Sequence, residues 1–175
     1  MIKKKLIFLL IGFILCFSSW QSVNASQQIT GIEKGYYDLG YKAVPEAVHD
    51  AEAYFKSNLE LPKKLPPLIF THSFGRLSAK GDQNDGLEVV YLNHEKHFNY
   101  IINVRPAKNG MQFKLNTDSK IVLKDGTQAN YRTVGKDGRL LVFMVEKNGW
   151  IYYLSIEKSL LDNPISTFTE IANSF

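Results

Sequence analysis

His94-Glu95-Lys96-His97 places two imidazoles and a carboxylate within four residues, the side-chain types of a zinc hydrolase. The helical zinc-protease motif needs two residues between the Glu and the second His, so that both rings share a helix face one turn apart. Only one residue stands here, and the flanking pattern reads as a loop between strands. A metal at His94 and His97 would need a distant third ligand, and a polar turn is the simpler reading. Thr71-His72-Ser73-Phe74-Gly75 sets a Ser beside a His. A nucleophile elbow needs glycines on both sides of the Ser at a strand-to-helix turn, whereas Thr71 fills the first position and no helix follows. In a strand, His72 and Ser73 would also point to opposite faces, with His72 alternating with Phe70 and Phe74. The loop Asp82-Gln83-Asn84-Asp85-Gly86 with Glu88 has oxygen ligands for calcium, but its Gly falls one place early and its Glu too near for an EF-hand, so a solvated turn is the default. No catalytic residue, metal ligand or cofactor is assigned from these segments.

Aromatic residues offer a different chemistry. Trp150, Tyr152, Tyr153 and Tyr100, with Phe98 and Tyr131, could line a pocket or a sugar-binding platform. The same residues fit the buried face of strands. Trp150, beside a hairpin tip, is the one expected at the surface.

The elements that would carry these residues follow from periodicity. Val44, Val48, Ala51, Phe55 and Leu59 recur at helical spacing over 45–59, and Pro45 suits a first turn. Pro62, Pro66 and Pro67 then force an extended linker. From Phe70 the period changes to two, giving strands over 70–75, 87–92 and 98–105, with a further one possible at Gln112–Leu115. Asp125-Gly126, Asp137-Gly138 and Asn148-Gly149 separate segments 127–134, 139–146 and 150–157, the signature of an antiparallel meander. A two-residue turn at Asn148-Gly149 pairs Lys147 with Trp150, Val145 with Tyr152, Phe143 with Leu154 and Leu141 with Ile156, all facing one way. The other face carries Leu140, Val142, Met144, Ile151 and Tyr153, so this hairpin is expected to be covered on both sides. Asn163-Pro164 opens a last helix whose stripe Ile165, Phe168, Ile171, Ala172 and Phe175 reaches the final residue, which predicts a docked C-terminus. The expected fold is α+β. It has a twisted antiparallel sheet of five to seven strands with an N-terminal and a C-terminal helix packed on one face.

Residues 1–25 read as a secretory signal peptide, 26–42 as an irregular arm with a short strand at 36–39, and 43–175 as a single domain. Lys3, Lys4 and Lys5 form a positive start, Leu6 to Phe17 an apolar run too short for a typical membrane span, and Val23-Asn24-Ala25 a cleavage site. Membrane attachment would come only through this leader if it stayed uncleaved. Leu15 before Cys16 spoils a lipobox. Cys16 is the single cysteine, so the processed chain would have no disulfide and no thiol chemistry. The net charge of +4 is inflated by the leader. The 21 basic residues less its three lysines leave 18 against 17 acidic. Lys63-Lys64 and Arg105-x-x-Lys108 read as solvated surface, and with no basic patch nucleic acid is not an expected partner.

The runs Lys124-Asp125-Gly126-Thr127, Leu140-Leu141-Val142-Phe143, Lys147-Asn148-Gly149-Trp150-Ile151-Tyr152-Tyr153-Leu154-Ser155 and Glu170-Ile171-Ala172-Asn173-Ser174 carry a resemblance. Over about 60–175 the chain resembles an uncharacterised domain of exported Gram-positive bacterial proteins. It is similar to the C-terminal domain of some extracytoplasmic lipoproteins and membrane-bound anti-sigma proteins. The resemblance implies a cell-surface setting, a binding or sensing role and no catalytic residues. Three readings result: a secreted or envelope protein binding a surface protein or polymer, a carrier or sensor of an apolar small molecule or lipid, and an extracellular hydrolase using His72, His94 or Glu95.

Overall fold

The structure, a computed structural model, describes residues 31–109 and 119–175. The expected leader and the possible strand at 112–115 lie outside these residues. Two short helices, α1 (Gly31–Asp38) and α2 (Val44–Phe55), precede strands β1 (His72–Ser78), β2 (Gly86–Asn93) and β3 (Phe98–Pro106). Strands β4 (Ser119–Val122), β5 (Gln128–Val134), β6 (Leu140–Lys147) and β7 (Trp150–Glu157) follow, and α3 (Pro164–Ala172) closes the chain. All pairings are antiparallel in one seven-stranded sheet of order β1-β2-β3-β7-β6-β5-β4. The sheet is therefore two meanders joined where β3 meets β7. Counted through the ladder, β3 and β4 run in the same direction with three strands between them.

The α+β expectation holds. Alternation along each strand sorts side chains to an inner face under α2 and α3 and an outer face opposite. Leu87, Val89, Tyr100, Ile102, Val104, Leu141, Phe143, Val145, Trp150, Tyr152, Leu154 and Ile156 pack inward with Ala47, Ala51, Phe168 and Ile171 into one buried cluster. Phe168 lies over the sheet centre, its ring centroid 5.9 Å from Tyr100 and 5.8 Å from Phe143. Gly75 lets α2 approach, since a Cβ there would meet the Ala47 Cβ at 2.5 Å. The Asn148-Gly149 hairpin has the expected register, Lys147 opposite Trp150 and Leu141 opposite Ile156. Its two turn residues take φ of 50° and 81°, as a tight twisted hairpin requires. The C-terminus is docked as expected. Ser174 Oγ accepts from the Lys64 amide at 3.0 Å, and Asn173 Oδ1 from the Lys124 amide at 2.8 Å.

Several local expectations are corrected. Residues 31–38 of the supposed irregular arm are helix α1, and 36–39 form its end and a turn rather than a strand. The helix is held by tertiary contact: Tyr36 stacks on Phe74 of the outer face at 4.3 Å. The strand contact of this segment is one bridge between Lys42 and Gly75. Helix α2 ends at Phe55, because Lys56 turns left-handed at φ 53° and its amide caps Glu52. Strand β1 begins at His72. Phe70 precedes it and packs with Tyr91, Phe98 and Tyr100 on the inner side, while Phe74 faces outward, so the two do not share a face. Asp137-Gly138 is not a two-residue turn but part of a wider loop with Gly135 at φ 83°. Asn163 makes no side-chain cap, and its carbonyl accepts from the Thr167 amide instead.

Candidate binding cleft on the outer sheet face

Each segment singled out for chemistry takes a definite place. His94 and His97 are exposed on the β2–β3 turn, their rings edge to face with centroids 5.9 Å apart. His97 is held at φ 54° by the turn. Among the described residues no group of three metal-binding side chains assembles. His72 Nδ1 lies 2.8 Å from Thr71 Oγ1, which also donates to the Leu92 carbonyl at 3.2 Å and accepts from the His94 amide at 3.0 Å. Thr71 thus pins two strand ends, and Ser73 is exposed on the side opposite His72.

The acidic loop is not a solvated turn throughout. Asp85 is only 3% exposed and turns inward. Its carboxylate accepts from Tyr54 Oη at 2.6 Å and from the Lys80 and Gly81 amides at 2.7 and 2.8 Å. Those donors, Tyr54 first, hold it below the usual aspartate range against the opposing effect of burial. With its oxygens so engaged, Asp85 closes the loop rather than offering a cation site. Glu88 is elsewhere, on the outer face beneath Tyr41 and Arg76. Arg76 Nη2 lies 3.3 Å from Glu88, its guanidinium sits 4.4 Å from the Tyr41 ring centroid, and Tyr41 Oη donates to Glu88. Burial first, then Glu88, pushes the Tyr41 phenol up to about 12.

Of the four aromatic candidates, three are inner-face core. Tyr100 is 0%, Tyr152 1% and Trp150 2% exposed, so Trp150 is not at the surface. The polar atoms of two of them staple the linker after α2 to β7. Trp150 Nε1 donates to the Asn58 carbonyl at 2.8 Å, and Tyr152 Oη to the Glu60 carbonyl at 2.7 Å. Phe55 sits edge-on to Trp150 with centroids 5.3 Å apart. Tyr153 alone faces outward.

Around Tyr153 the outer face forms a cleft of about 270 Å³ lined by Asn103, Arg105, Arg132, Leu140, Val142 and Ser155 as well. Four strands supply it, and the register explains why. Asn103 lies opposite Tyr153, Ser155 opposite Val142, and Val142 opposite Arg132. The outer face was expected to be apolar and covered over this hairpin. Val142, Met144, Ile151 and Tyr153 are half-buried and Leu140 is 37% exposed. Among the described residues the outward-packed helix, α1, reaches Phe74 over β1 and not β6. Burial raises the Tyr153 phenol, while the Arg105 charge acts to lower it.

Arg105 was read as solvated surface, and it is not. It is half-buried, and its Nη1 is buried without a hydrogen-bond partner. Gly86 stands beside it across the β2–β3 ladder. A Cβ at Gly86 would meet Arg105 Cγ at 3.0 Å and the Val104 carbonyl oxygen at 2.4 Å, so this glycine gives the arginine stem its place. Arg105 and Asn103 also border a second cleft, of about 250 Å³, with Arg76 and Glu88. Arg76 is engaged there: besides Glu88 and Tyr41, it donates to the Leu39 carbonyl at 3.3 Å. No ion pair joins Arg105 to Glu88 or to another acid of the described residues. The chemistry this arrangement can do is recognition: planar donors, an amide, hydroxyls and an apolar wall on one rigid sheet.

No family model matches the chain, and no curated protein or solved structure matches it.

Proposed function

We propose that this is an exported, non-enzymatic protein of the cell envelope, and that it holds an anionic surface partner against the outer face of its sheet. The observation that carries the reading is the Arg105 cleft, a cationic and polar recess with an apolar wall on the face away from α2 and α3. The apolar start of the sequence supports export, and the resemblance over about 60–175 to a domain of exported Gram-positive proteins supports a binding role. The carrier reading draws little support, because Tyr100, Ile102, Phe143, Leu154, Ile156 and Phe168 fill the layer between helices and sheet. The hydrolase reading draws on His72, whose Nδ1 lies against Thr71 Oγ1, and on His94 and Glu95, which are exposed on a turn.

The test is binding of labelled purified protein to intact cells of the producing species. Wild type is expected to bind saturably and to be displaced by salt, as an ion-driven contact should be. A Val142→Glu variant, which puts a negative charge in the cleft wall, should lose most of this binding. Equal binding by both proteins, or none by wild type, would overturn the proposal.

A further inference from the structure

We propose that His94 and His97 form a surface chelate for a divalent cation that favours imidazole, copper(II) above the others. The site goes beyond the outer-face reading, since the turn that carries it opens β3 and Arg105 lies near the other end of that strand. The two rings lie with centroids 5.9 Å apart. At a metal–nitrogen distance of about 2.0–2.1 Å, two imidazoles on one ion have centroids roughly 4.5 to 6.3 Å apart as the angle at the ion opens from square to straight. The observed separation falls inside that range, so rotation of exposed side chains suffices and the backbone need not move. That backbone is well anchored. Thr71 Oγ1 accepts from the His94 amide at 3.0 Å, and the buried Asn93 side chain accepts from the Lys96 amide at 2.8 Å while donating to the Ile69 carbonyl at 2.9 Å. A clamped turn holds both ligands near one another before an ion arrives, which lowers the ordering that binding demands. His97 takes φ 54°, a left-handed conformation that glycine adopts without strain, so a ring is kept there against the backbone preference. The two rings touch each other and both residues are exposed, which leaves them open to an ion from solution. Glu95 and Lys96 between them are exposed and of opposite charge, so the turn sets up no net repulsion toward a cation. No third metal-binding side chain joins the pair among the described residues. Two imidazoles with water at the other positions make a nitrogen and oxygen surround that suits tetragonal copper(II), the divalent first-row ion that such ligands bind most tightly.

The experiment is a calorimetric titration of the purified protein, carrying no histidine tag and stripped of metal, with copper(II) in a non-coordinating buffer. The expected result is a saturable site filled by one ion per chain. His94→Asn and His97→Asn should each weaken that site by roughly tenfold or more, because a chelate that loses one arm loses the intramolecular bond. His49→Asn, which removes the exposed histidine of α2, should leave binding unchanged. Pulsed electron paramagnetic resonance of the loaded protein should count two imidazoles on the copper. A second readout separates binding from folding: His97→Gly should melt no lower than wild type in metal-free buffer, because it relieves the left-handed strain while it removes a ligand. Absence of saturation, a single imidazole on the copper, wild-type affinity in His94→Asn or His97→Asn, or an equal loss in His49→Asn would each overturn the chelate. A lower melting temperature for His97→Gly would also overturn it, since the ring would then be held for packing.

Discussion

Tyr100 carries its hydroxyl into the dry centre of the inner face, between the rings of Tyr91 and Phe168, and the oxygen has no hydrogen-bond partner. Burial pushes this phenol far above the usual tyrosine range. An apolar ring of the same shape removes an unsatisfied polar atom, so Tyr100→Phe should stabilise the fold by up to about 1 kcal/mol in urea unfolding. A loss of stability would mean that the hydroxyl is satisfied in solution. Tyr152 is the converse, since its Oη holds the Glu60 carbonyl. Tyr152→Phe should cost about 1 kcal/mol, and an unchanged urea midpoint would show the staple to be idle. At Asp85 the sign follows from the depressed carboxyl. Its contribution is fully present above the unfolded aspartate value of about 3.9 and is lost as pH falls further. Asp85→Asn should therefore lower the melting temperature at pH 7, with the gap to wild type narrowing below pH 4. A gap that stays constant through acid would assign the effect to packing.

Gly75 sets how closely α2 lies on β1, and no side chain fits between the strand and Ala47. Gly75→Ala should destabilise by about 1–3 kcal/mol, as overpacking does. Restoring room with Ala47→Gly in the same chain should recover part of that loss, and a simple sum of two losses would refute the contact. Elements of this kind differ in how far sequence betrays them. The β6–β7 hairpin was legible because Asn148-Gly149 allows one register and alternation puts the same residues inward. Helix α1 was not, because Gly31 and Gly35 weaken its propensity and no residue of it is buried. Its place depends on Tyr36 meeting Phe74 of a distant strand, which no local window contains.

At the scale of the molecule, the candidate site depends on strand order. Arg105 and Tyr153 share a recess because β3 adjoins β7, and Arg132 joins them because β6 and β5 follow. Adjacency in sequence would have placed β4 beside β3. The sequence held the parity of every lining residue, since Asn103 and Arg105, or Tyr153 and Ser155, alternate with core positions. What it lacked was the order of the strands. That order also has a kinetic consequence. Strands β1 to β3 and β4 to β7 are each chains of hairpins and can pair locally, within microseconds to milliseconds. Their junction brings Tyr100 to Ile156 and Val104 to Tyr152 and closes a loop of roughly 45 residues, a cost that must be met before the contacts reward it. The junction should therefore govern the folding rate. In stopped-flow refolding, Ile102→Val or Leu154→Ala in the junction should slow folding, whereas Gly75→Ala at the sheet edge should chiefly hasten unfolding.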